Sequence, residues 1–350
     1  MKRWIIAAMA AAGVMLFPAA ASASTCGDNG TTKFFDSQGY YFDFHQSNAL
    51  GPNHNDPFAT FDDSGSNGIL GTPPGPVANT DTYDQFGALF VGGANDDAHV
   101  YFSDNNSCSD PAVGERDFPV VGMSGLQVQR KIFVNPAGPL PGARILDLIH
   151  NPSGGPMTTT VQVGDLASTN NDGDLGSDST TAVRSSSNGD LVASPADYWA
   201  VTNDNPTTTS DNTLAHVIDG QGGAVKANLF QVGGGTIPTD TQDNVVWGWT
   251  VTIPANSTVG LLSVEVQQAT LGLDSVTDAG QAAAVANSYQ SAPLSTLYAG
   301  VSNADAVNVV NWPHPPPPPV KHKKKCKKKH HKRSAASAKK HKKCKKKHKK

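Results

Sequence analysis

The stretch VVWGWTVTI, Val245–Ile253, narrows the choice of folds more than any other part of the chain. Val245, Trp247, Trp249, Val251 and Ile253 alternate with Val246, Gly248, Thr250 and Thr252, a period of two held from end to end. Successive side chains of a strand point to opposite faces, so the pattern predicts a β-strand with one apolar face. PANST then makes a loop, and VGLLSVEVQ sets Leu262, Val264 and Val266 against Ser263, Glu265 and Gln267. The two runs together predict a β-hairpin with one buried face.

The same texture extends upstream. GLQVQRKIFV alternates Leu126, Val128, Ile132 and Val134 with Gln127, Gln129 and Lys131, and Arg130 interrupts its apolar face. ARILDLIHNPSGG and MTTTVQVGD read as another strand, turn and strand, with the turn at residues 151–155. Of 30 acidic residues 28 are Asp, which favours turns and loops, whereas Glu is at home in helices. The expected class is all-β: one large or two packed antiparallel β-sandwich domains, with two sheets burying these stripes against each other. TDAGQAAAVANSYQ, with Thr277 as a cap, predicts a short helix, and Ser302 with Asp305 three residues on is a capping-box signature for a second.

Domain organisation follows from composition. Residues 1–23 combine Lys2 and Arg3, an apolar run from Ile5 to Phe17 and an Ala21-Ser22-Ala23 ending, the three parts of a secretory signal. A secreted, extracellular protein associated with the cell surface is therefore expected. No later apolar run approaches the roughly 20 residues of a spanning helix, so no transmembrane span is expected after signal removal. Residues 24–118 form an N-terminal β region, and 119–312 the main sandwich with closing helices in 277–311. PHPPPPPV places a polyproline linker at 313–320. Residues 321–350, almost without apolar content, are expected to be disordered.

Charge is segregated along this plan. Eighteen of the 27 Lys and Arg follow Val320, and all 30 acidic residues precede it. Only seven basic residues offset them between the signal and the linker, so the body carries −23 and the tail +18 behind an overall −3. Polycations bind polyanions by releasing counterions. Lys323, Lys324, Lys325, Lys327, Lys328, Lys329, Lys332, Arg333, Lys342, Lys343, Lys345, Lys346 and Lys347 are thus candidate contacts to polyanions. The expected partners are anionic cell-envelope polymers or an anionic lipid surface. Non-specific nucleic acid and the acidic body itself are further candidates, while no base-reading motif accompanies the charge.

The order RKIFV, ARILDLIHNPSG, DGDLGSDSTTAVRSSSNGD, VTIPANSTVGLLSVEVQ and GVSNADAVNVVNW resembles large secreted bacterial β-domains, mostly uncharacterised. The tail is similar to Lys/His/Cys-rich C-termini of exported actinobacterial proteins. The resemblance implies location and architecture and carries no catalytic residues.

Chemistry is sparsely signposted. Cys26 and Cys108, in the body of an exported chain, are expected to form a disulfide. His322, Cys326 and His330, echoed by His341, Cys344 and His348, have metal-ligand types, yet the intervening lysines repel a divalent cation and favour thiolate. Crosslinking of Cys326 and Cys344 therefore ranks above metal binding. His45 and His54 beside Asp43 and Asp56 read as surface histidines, and His150 and His216 as strand-end residues. No G-x-S-x-G elbow or H-E-x-x-H helix occurs.

Two functions are carried forward. The first is a non-catalytic, surface-retained β-sandwich protein anchored electrostatically by its tail. The alternative is a carbohydrate-binding or glycoside-acting protein using Tyr198 and Trp199, whose rings could stack on sugars. Asn170, Asp172, Asp174 and Asp178 begin a calcium loop, with Leu175 where an EF-hand needs Gly. Calcium is accordingly the one candidate cofactor. If that loop binds calcium, the melting temperature should rise with added calcium and fall with chelator; an unchanged melting curve removes the site.

Overall fold

A computed structural model describes residues 24–25, 32–45, 60–61, 87–93, 99, 101, 108–164, 182–203, 213–232, 245–268 and 275–314. The chain divides into two units, Met1–Pro316 and Pro317–Lys350, and all described residues belong to the first. The strands are β1 (Ser24–Thr25), β2 (Thr32–Phe35), β3 (Tyr41–His45), β4 (Thr60–Phe61), β5 (Ala88–Val91) and β6 (Ser109–Ala112). There follow β7 (Glu115–Asp117), β8 (Val121–Met123), β9 (Leu126–Val134), β10 (Ala143–Asn151), β11 (Met157–Gly164) and β12 (Ala182–Ser186). The last are β13 (Trp199–Asn203), β14 (Thr213–Val217), β15 (Leu229–Val232), β16 (Val245–Ile253) and β17 (Ser257–Gln268). Three helices end the body: α1 (Ser275–Ser291), α2 (Leu294–Leu297) and α3 (Asn303–Ala306).

These strands make an all-β fold of antiparallel sheets. A ten-stranded sheet runs β1-β6-β7-β9-β10-β17-β14-β13-β12, with β8 also on β9, and a four-stranded sheet runs β15-β16-β11-β5. A small three-stranded sheet, β2-β3-β4, completes the set. Because β6 and β7 share the large sheet with β9, the expected boundary at 118/119 falls inside that sheet rather than between domains.

The strand at Val245–Ile253 forms as its alternation requires, with Val245, Trp247, Trp249, Val251 and Ile253 all in the core between the sheets. The expected hairpin does not form. β16 pairs with β11 and β15, whereas β17 pairs with β10 and β14, so the chain crosses from one sheet to the other at residues 254–256. β10 and β11 do the same at residues 152–156. Both connections are therefore arches, and β10-β17 and β11-β16 stack the two arches side by side. Alternation specifies which face is apolar; it is silent on whether the next strand lies beside it or opposite it.

Asn151 fastens the arches together. Its Nδ2 donates to Gly155 O (2.8 Å), Ile253 O (2.9 Å) and Pro254 O (3.2 Å), and its Oδ1 accepts from Ser153 N. Asn256, at φ 52°, makes the second bend in the left-handed region that Asn tolerates.

α1 lies on the outer face of the large sheet. Ala279, Ala282, Ala286 and Tyr289 pack with Trp199, Val201, Ala215, Val217, Leu262, Val264 and Val266 in a second core. The small alanine side chains let the helix approach closely. β17 is consequently buried on both faces, where the sequence reading gave it one. The helix begins at Ser275, two residues before the expected cap at Thr277. At α3 the expected cap is present: Ser302 Oγ accepts from Asp305 N at 3.1 Å.

The outward face of the small sheet is different in character. Thr158, Thr160, Thr250 and Thr252 are exposed on it, and β11, β15 and β16 contain no charged residue. Thr158 stands opposite Thr252 and Thr160 opposite Thr250.

At the far edge of the large sheet, β1 pairs Ser24 with Asp110 and Thr25 with Ser109. Cys108, buried to 3% exposure, follows directly in this register, while Cys26 lies outside the described residues. A Cys26–Cys108 bond is our proposal from that register. Non-reducing peptide mapping should recover the two cysteines in one linked species; recovery of both as alkylated thiols would remove it.

Candidate functional site

Two apolar-faced sheets should bury few charges, yet the inner face of the large sheet carries a row of them. In the register, Arg130 on β9 stands opposite Asp147 on β10, and Glu265 on β17 stands opposite His216 on β14. Arg130 Nε donates to Asp147 Oδ1 (2.7 Å) and Nη2 to Oδ2 (3.0 Å), a bidentate pair, while Nη1 donates to Gly87 O. Tyr101 lies against this pair, its hydroxyl donating to Pro119 O, and burial pushes that phenol above its ordinary range. Arg130 thus interrupts the apolar face because its charge is answered across the sheet.

The second half of the row is a chain of three. His216 Nδ1 lies 2.8 Å from Glu265 Oε2, and His216 Nε2 lies 2.8 Å from Thr202 Oγ1 on β13. With Nδ1–H donating to the carboxylate, Nε2 of a neutral ring accepts from the threonine hydroxyl. Carboxylate, imidazole and hydroxyl are connected as in a nucleophile triad. Exposure decides what the arrangement does: Thr202 is 1% exposed, and His216 and Glu265 are 0%. A hydroxyl so enclosed meets no substrate, and the chain braces three adjacent strands against one another. His216, next to last in β14, stands near the strand end as expected, with a glutamate as its carboxylate partner.

A third hub closes the C-terminal end. Asp219 Oδ1 accepts from Trp249 Nε1 (2.8 Å) and Asn311 Nδ2 (3.2 Å), and Oδ2 accepts from Ala227 N (2.6 Å). Asn311 also takes Leu262 N on its Oδ1 and donates to Leu262 O and Ile218 O. Trp312 Nε1 donates to Leu262 O at 2.7 Å, with the ring so close over Gly220 that a Cβ there would lie 2.2 Å from it. Burial pushes the Asp219 carboxyl up to about 6 against the pull of these donors.

On the opposite side of the same segment, Lys131 Nζ bridges Asp117 (2.9 Å) and Asp305 (3.1 Å), tying α3 to β7 and β9. Glu115 beside them is raised to about 7, first by burial and then by the Asp117 charge.

The residues singled out from sequence fare differently. Trp199 is 3% exposed within the second core, so it offers no ring to a sugar. Tyr198 is half-buried, packs against that core and carries Lys226 Nζ 4.2 Å from its ring centre. Trp199 therefore cannot be the second ring of a sugar-stacking pair, while Tyr198, which precedes β13, keeps a partly exposed ring that it shares with Lys226. His150 Nδ1 meets Thr258 Oγ1 at 3.1 Å on the neighbouring strand. Asn170, Asp172, Asp174 and Asp178, His54, Asp56 and the tail lie outside the described residues, as do the side chains of Asp43 and His45. Among the described residues no group of three or more His, Cys, Asp or Glu is placed to hold a metal ion, and no helix is long and apolar enough to cross a membrane.

No protein-family model matches the sequence, and no curated protein matches it. Among solved structures, a galactose mutarotase-like protein from Lactobacillus casei overlaps 68% of this chain and 100% of its own, at 10% identity and a TM-score of 0.37. A putative aldose 1-epimerase from Klebsiella pneumoniae overlaps 66% of this chain and 70% of its own, at 12% identity and a TM-score of 0.27. Likeness at this level carries no argument about chemistry here.

Asp219 supplies a pH test. Its folded value of about 6 lies above the ordinary 3.8, so the folded state holds the proton more tightly. The stability this gives is full below about pH 4 and is lost as pH rises through about 6. The unfolding free-energy difference between wild type and Asp219→Asn should change by about 1–3 kcal/mol between pH 4 and 7. A difference constant across that window would show that Asp219 titrates normally.

Proposed function

We propose that this is a secreted, non-catalytic β-sandwich protein held at an anionic surface by its polycationic tail. The observation that carries the reading is the segregation of charge, −23 in the body and +18 after the linker. The end of the fold supports it. Trp312 is buried and bonded to Leu262 O, and Tyr298 donates its hydroxyl to Pro313 O at 2.9 Å. The packed structure is thus closed where the proline run begins, and a proline-rich segment is a semi-rigid spacer of about 3 Å per residue. The buried ionisable row agrees with a structural body, since its groups are answered by one another.

A second reading, a carbohydrate-binding or glycoside-acting protein, is favoured by one observation: the uncharged threonine face of the small sheet. The sugar-related names of the two solved structures belong to those proteins.

The test compares the full chain with one ending at His314 on beads bearing an anionic polymer, across a salt series. The full chain should be retained at low salt and released steeply as salt rises, because each neutralised charge contributes to the slope. Equal and salt-insensitive retention of the two chains would sink the tail reading.

A further inference from the structure

We infer that Glu115 and Asp117 form a proton-operated latch on the C-terminal strap, residues 302–312: a proton shared between the two carboxyls holds the strap down, and its loss loosens it. The latch belongs to the body and is independent of the tail and of any sugar.

The strap is fastened differently at its two ends. Val309 bridges Gly260, with Gly260 N donating to Asn308 O (2.8 Å) and Val310 N to Gly260 O (3.0 Å), and Asn311 and Trp312 hold Leu262. At the other end α3 is held by one cation. Lys131 Nζ on β9 reaches Asp305 at 3.1 Å and Asp117 on β7 at 2.9 Å. All three side chains are largely buried, so water and salt screen them weakly.

Three carboxyls face that one ammonium. Glu115 and Asp117 lie two residues apart on β7, hence on one face of the strand, opposite Phe133 and Lys131 of β9. The other cations near this corner are committed elsewhere. Arg116, between the two acids, turns to the opposite face and pairs with Asp110 of β6 at 2.9 Å, and Arg130 turns inward to Asp147. Arg144 of β10, beyond Phe133 in the same row, donates to Thr296 O and Leu297 O. With every group ionised, two negative charges at the foot of α3 would go unanswered.

Asp117 also lacks a donor that a proton would supply. Its Oδ2 takes Lys131, but its Oδ1 is buried with no hydrogen-bond partner. A buried acceptor is costly to leave empty, and a protonated Glu115 fills it. Burial first, and then the Asp117 charge, raise Glu115 to about 7; Lys131 pulls the other way, and a hydrogen bond to Asp117 favours the acid. Two carboxyls sharing a proton attract, whereas two carboxylates repel, and Asp305 adds to the repulsion. Because the folded value lies above the ordinary 4.5, the latch contributes fully below about pH 4.5 and is lost as pH rises through about 7. The strap then frays from α3, while Asn311 and Trp312 still hold the other end.

Amide hydrogen exchange of the full-length protein, corrected for the intrinsic pH dependence of exchange, reads the latch directly. Protection of the Ala306 and Val309 amides should fall roughly tenfold between about pH 6 and about pH 8. Glu115→Gln, whose amide donates to Asp117 Oδ1 at either pH, should limit the fall to about the twofold that Asp219 supplies across that window. Because Glu115 and Glu265 are the only glutamates, selective carbon-13 labelling gives two glutamate carboxyl signals in the wild type. One should titrate near pH 7 and be absent from Glu115→Gln. Both signals titrating below about pH 5.5, equal strap protection at the two pH values, or Glu115→Gln losing as much protection as wild type would overturn the inference.

Discussion

Two chain crossings, stacked on each other, determine most of what this body can be. β10 passes to β11 and β16 to β17 across the core, so the central strands of both sheets are joined in pairs through their bends. Asn151 sits at that junction, fully buried, and feeds one amide to carbonyls of both bends. A bend that leaves one sheet for another strands backbone carbonyls away from a ladder, and a buried carbonyl without a donor costs roughly 1–3 kcal/mol. One side chain answers several at once, and so fixes the separation of the sheets around Trp247 and Trp249.

Covering the large sheet with α1 has a chemical consequence. With β17 buried on both faces, any polar side chain on it must find its partner inside the protein. Glu265 finds His216, His216 finds Thr202, and Arg130 on β9 finds Asp147 on the neighbouring β10. Ions out of water are expensive unless paired and hydrogen-bonded, and the pairing here also fixes strand register, since a slip of one residue would part every pair. The C-terminal segment follows the same logic: Asn311 and Trp312 take their places on Leu262 and Asp219.

Strand identity, the apolar stripes of β9, β16 and β17 and the cap at Ser302 were legible because each rests on neighbours two or three residues apart. Arg130 announced itself by breaking an apolar stripe, although its partner Asp147 could not be named across a turn. Glu265, one of only two glutamates and set in an apolar strand, was a signal of the same kind. The pairing of Trp199 with a helix 80 residues later left no local trace, and its aromatic neighbour Tyr198 made a sugar face look plausible. The threonine face was visible as alternation, but which side of β16 faces solvent depends on where the large sheet lies.

By itself the sequence determined that the chain is built of strands and that its charge is divided between body and tail, because periodicity and composition act locally. Only the tertiary structure decided that consecutive strands arch between sheets instead of pairing, that His216 and Glu265 are enclosed, and that threonine hydroxyls line the open face. Those outcomes depend on contacts between residues far apart in the chain, whose free energies are set by burial and by partners that no local pattern encodes.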